Sequence, residues 1–331
     1  MIGLALMLAA TAGAPQPRPI EIYKDWTVGC DNGRACQAVA LQPAETFDAA
    51  TMAVKRGAEA GAVPEIWITA RDQQPVAVVV DGKRFALNAI QSEYETTYRP
   101  AEAARFLAAI VSAKRAALVD KAGKQVAPLS VDGASAALLY IDDKQGRIGT
   151  VTALVRKGAK PASAVPPAPA LPVITGAPGS AKPPRMLSKA AVIEARKDSA
   201  CETPEEEGEP EAFRLDARHS LVFVPLRCGS GAYNFLSGLF LVDDSGRAVP
   251  ARFDSEDGNE GEDHWIYNSD WDPKTRRLGT YFKGRGIGDC GTTQTFAWDG
   301  SRFRLVEQTE MGECRGSTDY ITTWRAQVKP R

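Results

Sequence analysis

Apolar and polar residues alternate at the start of the chain in the way typical of β-strands. Ile22, Trp26 and Val28 fall on one side of an extended segment, which predicts a strand with one buried face. The sequence Asp-Asn-Gly that ends at Gly33 favours a turn, because asparagine and glycine accept positive φ angles. Cys36 begins the predicted return strand, so we expect a short hairpin here.

The alternation continues, with one helical pattern inserted. Strands are predicted at 65–70 and 76–80, and Asp-Gly at 81–82 turns the second strand into a hairpin. Residues 133–141 fit either a short helix or a strand, and residues 148–155 read as a strand. A helix with one apolar, core-packing face is predicted after Pro100, carrying Phe106, Leu107, Ile110, Val111 and Leu118.

A proline-rich segment divides the chain. Eight of the 27 residues at 159–185 are proline, which is typical of an extended, semi-rigid spacer rather than a packed element. The predicted domains are therefore 19–158 and 186–331, joined by a Pro/Ala-rich linker.

The second domain is predicted to be mainly antiparallel β. Ser188 suits the N-cap of a short helix that ends near Arg196. From Leu221 onwards, apolar runs alternate with turn sequences at 270–274 and 299–300, which favour hairpins. The fold class is thus α+β and β-rich, with two domains.

Residues 1–14 form a short apolar run that ends in small residues. This pattern is typical of a cleaved secretory signal peptide, and a buried N-terminal helix is the alternative. The run is too short to span a bilayer, which takes about 20 residues. We therefore expect a periplasmic protein and not an integral membrane protein.

Six cysteines in an exported chain favour three disulfide bonds. The sequence permits other connectivities, but proximity and the domain boundaries favour Cys30–Cys36, Cys201–Cys228 and Cys290–Cys314. Metal binding and thiol exchange are weaker interpretations, because the chain has no C-x-x-C sequence and neither of its two histidines lies at ligand spacing from a cysteine. We expect no metal and no cofactor.

The net charge and the motifs that the sequence lacks argue against several classes of function. The net charge is only −1, so no overall field attracts nucleic acid. The chain lacks G-x-S-x-G and H-E-x-x-H. The glycines at 284–289 depart from the dinucleotide fingerprint, and the acidic run at 254–263 lacks the EF-hand spacing. We therefore predict a protein that is not an enzyme.

One group of aromatic and basic residues is a candidate binding surface. Trp271 and Trp298 each precede an aspartate at a predicted hairpin turn, where they are expected to cover the core or a sheet face. If they are exposed beside Tyr281, Lys283 and Arg285, the five side chains form an aromatic, cationic surface for a sugar or a peptide.

The cysteines and the residues around them resemble a known family. The matching segments are 26–30, Cys36, 142–150, Cys201, Cys228, 284–291, 298–300 and 313–315. Together they resemble the exported bacterial family called domain of unknown function 1176, whose members carry six cysteines. This resemblance implies export and disulfide bonds, and it implies no activity. The opening of the first domain is also similar to invasion-associated locus B proteins, which are small exported β-rich proteins.

The sequence thus predicts a monomeric binding or accessory protein of the cell envelope, whose partner is an envelope protein or glycan. A hydrolase acting on envelope carbohydrate or peptide is the alternative, and an inhibitor of a wall-degrading enzyme is a third. An enzyme should show a deep cleft with converging carboxylates of raised pKa, whereas a binding protein should show a shallow aromatic patch.

Intact mass spectrometry of the protein from its native compartment tests the predicted export and disulfides. We expect a mass that lacks the N-terminal run, and no thiol that reacts with an alkylating agent until the protein is reduced. Free thiols in the unreduced protein would contradict the disulfide prediction.

Overall fold

The computed structural model describes residues 14–44, 46, 49–70, 74–92, 96–198, 208–231, 233–254 and 264–331, the side chains of 198 and 227–230 excepted. Within these residues it is β-rich, with three α-helices and 22 strands. The helices are α1 (Ala103–Ile110), α2 (Ala134–Lys144) and α3 (Lys189–Asp198).

The strands of the first half are β1 (Ile20–Tyr23), β2 (Trp26–Cys30), β3 (Cys36–Ala40), β4 (Thr51–Arg56), β5 (Glu65–Thr69), β6 (Ala77–Val80), β7 (Lys83–Gln91), β8 (Thr96–Pro100), β9 (Ala116–Val119) and β10 (Gln125–Leu129). Those that follow are β11 (Val173–Gly176), β12 (Glu211–Arg214), β13 (His219–Gly231), β14 (Asn234–Asp243), β15 (Ala248–Pro250), β16 (Trp265–Tyr267), β17 (Asp270–Asp272), β18 (Arg277–Lys283), β19 (Gly291–Trp298), β20 (Phe303–Met311), β21 (Ile321–Arg325) and β22 (Gln327–Pro330).

The first half is one antiparallel sheet with a helix on its inner side. Its strand order is β1-β2-β3-β4-β5-β8-β7-β6-β9-β10. The predicted hairpin is confirmed, since β2 pairs with β3 and the two strands are joined by the disulfide Cys30–Cys36. The stretch 133–141, left open by the sequence, is helical, and α2 packs on β1, β2 and β3. Leu118, predicted on the helix after Pro100, lies instead in β9.

A buried charge cluster follows α2. The Asp142 carboxylate is fully buried and accepts hydrogen bonds from the backbone N–H groups of Leu154 and Val155, each at 2.8 Å. The guanidinium of Arg56 lies 3.8 Å from the same carboxylate. Because these backbone donors serve Asp142 instead of a neighbouring strand, residues 148–155 form turns, and the strand predicted there was wrong.

Arg147 is the second buried cation of this cluster. Its guanidinium donates hydrogen bonds to the backbone carbonyls of Glu59 and Ala60, and so ties the loop after β4 to the turn after α2. Burial, and then repulsion by Arg147, lowers the pKa of Arg56 to about 10, while attraction by Asp142 opposes the shift. Arg56 therefore keeps its charge at neutral pH.

The second half contains two antiparallel sheets that share one core. One has the order β12-β13-β14-β15, with β16 also pairing with β14, and the other has the order β17-β18-β19-β20-β21. Apolar side chains of both sheets are buried against each other, as sheets packed face to face require. The prediction of mainly antiparallel pairing is confirmed here. Cys201 and the Cys228 side chain lie outside the described residues, so their disulfide stays a prediction.

Part of the proline-rich segment is packed. Strand β11 runs parallel to β22, and the side chains of Ile174 and Ala177 are buried. The residues Val-Ile-Thr-Gly of β11 include no proline, so each keeps an N–H group for pairing, and three of them are β-branched. This differs from the unpacked spacer expected at 159–185, whereas the division of the chain into two domains stays a prediction.

The two halves are in contact through the hairpin β2–β3. Both of its faces are buried, because α2 covers one and β21 lies against the other. On the second face, Val39 and Leu41 belong to the same apolar cluster as Met311 and Ile321. The prediction of a single buried face was therefore wrong, and Ile22, expected on that face, is 52% exposed.

Polar contacts also stabilise the interface between the two halves. Arg315 donates a hydrogen bond of 2.8 Å to the backbone carbonyl of Gln42 and forms an ion pair with Asp25. Trp67 Nε1 donates to the Asp319 carboxylate at 2.6 Å. The segment between β20 and β21 therefore belongs to the second half by sequence and is anchored in the first.

The substitution Arg147→Met is expected to lower the free energy of unfolding by about 3–5 kcal/mol, because it leaves the backbone carbonyls of Glu59 and Ala60 without their charged donor and removes a buried cation that the Asp142 carboxylate attracts. Urea titration followed by circular dichroism measures the change. Arg156→Met, which removes an exposed cation a few residues later, is the matched control and should cost less than about 0.5 kcal/mol. Equal losses would contradict a structural role for the cluster.

Candidate functional site

The candidate site lies on the sheet β17–β21, on the face turned away from the core of the second half. Alternate side chains of a strand point to the same face, so Tyr281 and Lys283 of β18 share a face. The strand register places Tyr281 in one row with Thr293 of β19 and Thr309 of β20. The two threonine hydroxyls are 2.7 Å apart, so one donates a hydrogen bond to the other.

The loop after β18 and the segment before β21 form the walls of a pocket on this face. The carbonyl oxygen of Gly288 accepts hydrogen bonds from Tyr281 Oη at 2.8 Å and from Tyr320 Oη at 3.2 Å. The two rings meet edge to face with their centres 5.9 Å apart. Gly288 has a φ of 70°, and a Cβ there would lie 2.7 Å from Tyr281 Oη, so the turn requires glycine.

We call this concavity the Tyr281 pocket. Its volume is about 490 Å³, and it is lined by Tyr281, Lys283, Ile287, Gly288, Thr293, Thr309, Thr318 and Tyr320. The lining contains aromatic rings, hydroxyl groups and one cation, and it contains no carboxylate. Ile287 is 63% exposed, so an apolar side chain borders a largely polar concavity.

Lys283 is the charged group of the pocket. Its Nζ lies 5.3 Å from the centre of the Tyr281 ring and 6.0 Å from that of the exposed Tyr233 ring, where cation–π attraction holds it. No carboxylate in the described part of the chain forms an ion pair with it. The neighbouring Arg285, in contrast, is paired with Asp289.

Asp289 and the adjacent disulfide hold the pocket wall in place. The Asp289 carboxylate is 1% exposed and accepts hydrogen bonds from Arg285 and, at 2.7 Å, from the backbone N–H of Gly316. Burial alone would raise the pKa of Asp289, but these hydrogen bonds outweigh burial and lower it. Cys290 is bonded to Cys314, as predicted. The loop after β18 is thereby linked twice to the segment before β21.

The structure separates the five residues of the predicted surface. Tyr281 and Lys283 lie together in the pocket, and Arg285 lies beside it in its ion pair. Trp271 and Trp298 are only 6% and 2% exposed and belong to the core between the two sheets. The expectation that they cover the core is therefore confirmed. Their inclusion in the candidate binding surface was wrong, because large rings at core-facing strand positions are stabilised by burial.

Several pocket residues were not predicted. The threonine row depends on strand register, which a β-bulge near Phe296 shifts by one position. Tyr320 lies 39 residues after Tyr281 and reaches it only because the intervening loops are joined. The predicted pairing of Cys290 with Cys314 was the one signal in the sequence that brings these segments together.

A larger cleft carries charges that are already paired. It has a volume of about 600 Å³ and is lined in part by Asp254, Asp299 and Arg304. Arg304 lies 2.9 Å from the Asp254 carboxylate and 3.6 Å from that of Asp299. Burial alone would raise the pKa of Asp299, but hydrogen bonds from the backbone N–H of Arg302 and from Ser301 lower it.

The other carboxylates offer little for acid–base chemistry. Among those described with a shifted pKa, only Asp270 has a raised one, owing to burial and then to repulsion by Asp272, and it lines neither concavity. No three histidine, cysteine, aspartate or glutamate side chains in the described ranges are grouped to hold a metal ion. None of the helices described above is long and apolar enough to cross a membrane.

The structure is thus that of a β-rich protein with two observed disulfides and an open pocket lined by side chains. Residues 21–327 match the family described as "Protein of unknown function (DUF1176)", and the chain belongs to this family. It is similar to the "Uncharacterized protein YpfG" of Escherichia coli (strain K12), with 29% identity over 325 residues that cover 91% of each chain. No solved structure matches the chain.

The family resemblance inferred from the cysteine motifs is confirmed by these matches. The similarity to invasion-associated locus B proteins stays a prediction.

Asp289→Asn is expected to lower the free energy of unfolding by about 2 kcal/mol at pH 7, because it weakens charged hydrogen bonds to a buried group. The native pKa of Asp289 is lowered, so its stabilisation is present above the unfolded-state pKa of about 4 and is lost as the pH falls through the native pKa. The difference between variant and wild type should therefore shrink below about pH 4.

Urea titrations from neutral to acid pH measure this difference. The control is Asp132→Asn, which alters an exposed carboxylate paired weakly with Lys24, and it should change stability little at any pH. A loss for Asp289→Asn that does not depend on pH would contradict the ionic role of Asp289.

Proposed function

We propose that this protein is a non-catalytic binding or accessory protein of the bacterial cell envelope, and that it binds a glycan in the Tyr281 pocket. The observation that carries this proposal is the content of the pocket, where two tyrosine rings, paired threonine hydroxyls and one cation surround an open concavity. Aromatic rings cover the apolar faces of sugars, and hydroxyl groups exchange hydrogen bonds with their polar edges.

We also propose that the protein works in the periplasm. Disulfide bonds persist mainly in oxidising compartments, and the structure contains two of them. The apolar run at the N-terminus has the composition of a secretory signal peptide. Both features support export.

The binding proposal is better supported than the hydrolase alternative. A glycosidase needs one carboxylic acid that stays protonated near neutral pH, which requires a raised pKa. In the larger cleft, the pKa of Asp299 is instead lowered by hydrogen bonds from Arg302 and Ser301 and by the charge of Arg304, and Asp254 is paired with Arg304. An inhibitor of a wall-degrading enzyme has no specific residue in its favour.

Calorimetric titration of the full chain with soluble envelope glycans tests the proposal. Tyr281→Ala should weaken binding about tenfold, which corresponds to the loss of roughly 1.4 kcal/mol of ring contact. Tyr267→Ala is the matched control, since Tyr267 contacts Phe282, the side chain on the opposite face of β18, and it should leave the affinity unchanged.

Absence of binding by the wild-type chain, or equal losses for the two variants, would contradict binding at the pocket. Release of new reducing ends during incubation with a glycan would contradict the absence of catalysis and favour the hydrolase.

A further inference from the structure

No carboxylate among the described residues neutralises the charge of Lys283. The nearest basic side chain in sequence, Arg285, is neutralised by Asp289, and Arg304 and Arg315 are likewise paired with carboxylates. In the part of the chain that the structure describes, the Lys283 ammonium lies over the faces of the Tyr233 and Tyr281 rings. Aromatic faces attract a cation but do not neutralise it, so the pocket keeps a net positive charge.

The hydroxyl groups of the pocket are set mainly to accept hydrogen bonds. The hydroxyl groups of Tyr281 and Tyr320 both donate hydrogen bonds to the carbonyl oxygen of Gly288, so their protons are not available to a ligand. Thr293 and Thr309 form one hydrogen bond with each other, so one of their two hydroxyl protons is already donated. A ligand that brings several O–H donors, as a saccharide does, therefore meets acceptors it can satisfy.

The backbone beneath the pocket is not available to a ligand. The pocket lies over β18, β19 and β20. Strands β19 and β20 are paired on both sides. Strand β18 is paired with β19, and its outer edge beside the pocket is occupied by the side chains of Asn268 and Asn234. An extended peptide that binds by strand addition needs a free strand edge, which these central strands do not offer. Recognition therefore depends on side chains, which favours a saccharide over a peptide.

We propose that the ligand of the Tyr281 pocket is an acidic saccharide, whose carboxylate pairs with Lys283 while its sugar ring packs against Tyr281 and Ile287. This inference rests on the proposed function and names the chemical class of the ligand. It assigns Lys283 the role of selecting for negative charge, and the rings and hydroxyls the role of binding the sugar.

Pairs of ligands that differ only in the charge of one carboxylate measure the contribution of that charge to binding. We would titrate the full chain by calorimetry with an oligosaccharide of hexuronic acid and with its methyl ester, and likewise with a disaccharide containing N-acetylmuramic acid and its methyl ester. In at least one pair, the acid should bind at least tenfold more tightly than the ester. Raising the salt concentration should weaken binding of the acid and leave the ester unaffected, because salt screens exposed charge.

Variants of Lys283 test whether the preference for the acid over the ester arises in the Tyr281 pocket. Lys283→Met should remove the preference for the acid and keep the weaker binding of the ester, whereas Lys283→Arg should keep the preference. Lys274→Met is the matched control, because it removes the same charge in the exposed turn before β18, about 20 Å away at the opposite end of the strand. It should leave both affinities unchanged.

The outcomes separate this inference from the function on which it rests. Equal binding of acid and ester would overturn the acidic ligand and retain glycan binding. A preference for the acid that survives Lys283→Met would overturn the role of Lys283. Failure of all four ligands to bind would overturn the proposed function itself.

Discussion

The pocket and the contact between the two halves both depend on the double link between the loop after β18 and the segment before β21. One link is the disulfide between Cys290 and Cys314, and the other is the buried Asp289 carboxylate, which receives the backbone N–H of Gly316. The linked segment carries Tyr320 into the pocket and Arg315 into the first half. The two links together therefore position both a wall of the Tyr281 pocket and the contact between the two halves of the chain.

The hairpin β2–β3 shows why the two halves pack as they do. Its own disulfide closes the turn, and its small residues let other elements approach closely. At Gly29, a Cβ would lie only 2.9 Å from Ile321, so the close contact with β21 requires the absence of a side chain. With α2 on the other face, the hairpin becomes a central layer, and apolar burial on both faces is the driving force that joins the halves.

Local features of the fold were predictable, and long-range ones were not. Turn sequences and alternating strands at the β2–β3 hairpin and at β6–β7 depend on neighbouring residues, so their pattern was sufficient. The strand expected at 148–155 failed because Asp142 takes backbone donors that a strand would use. Within the site, Tyr281 and Lys283 were predictable from one strand. Tyr320 was not, because its position depends on a distant crosslink. The burial of Trp271 and Trp298 agrees with the core position expected for their large apolar rings.

The groups that stabilise this protein and the groups available to a ligand are different groups. Asp142, Arg147 and Asp289 are buried, and their hydrogen-bonding capacity is used within the chain, so a ligand gains nothing from them. Lys283 and Ile287 lie at the pocket, where no described carboxylate neutralises the charge of the first and most of the apolar surface of the second is exposed. Because the wall is already ordered by the disulfide and Asp289, a ligand would not need to order it on binding, and that lowers the entropic cost of recognition. A cation that no described carboxylate neutralises, on a preorganised surface, is therefore the feature of this structure that most supports the proposed binding.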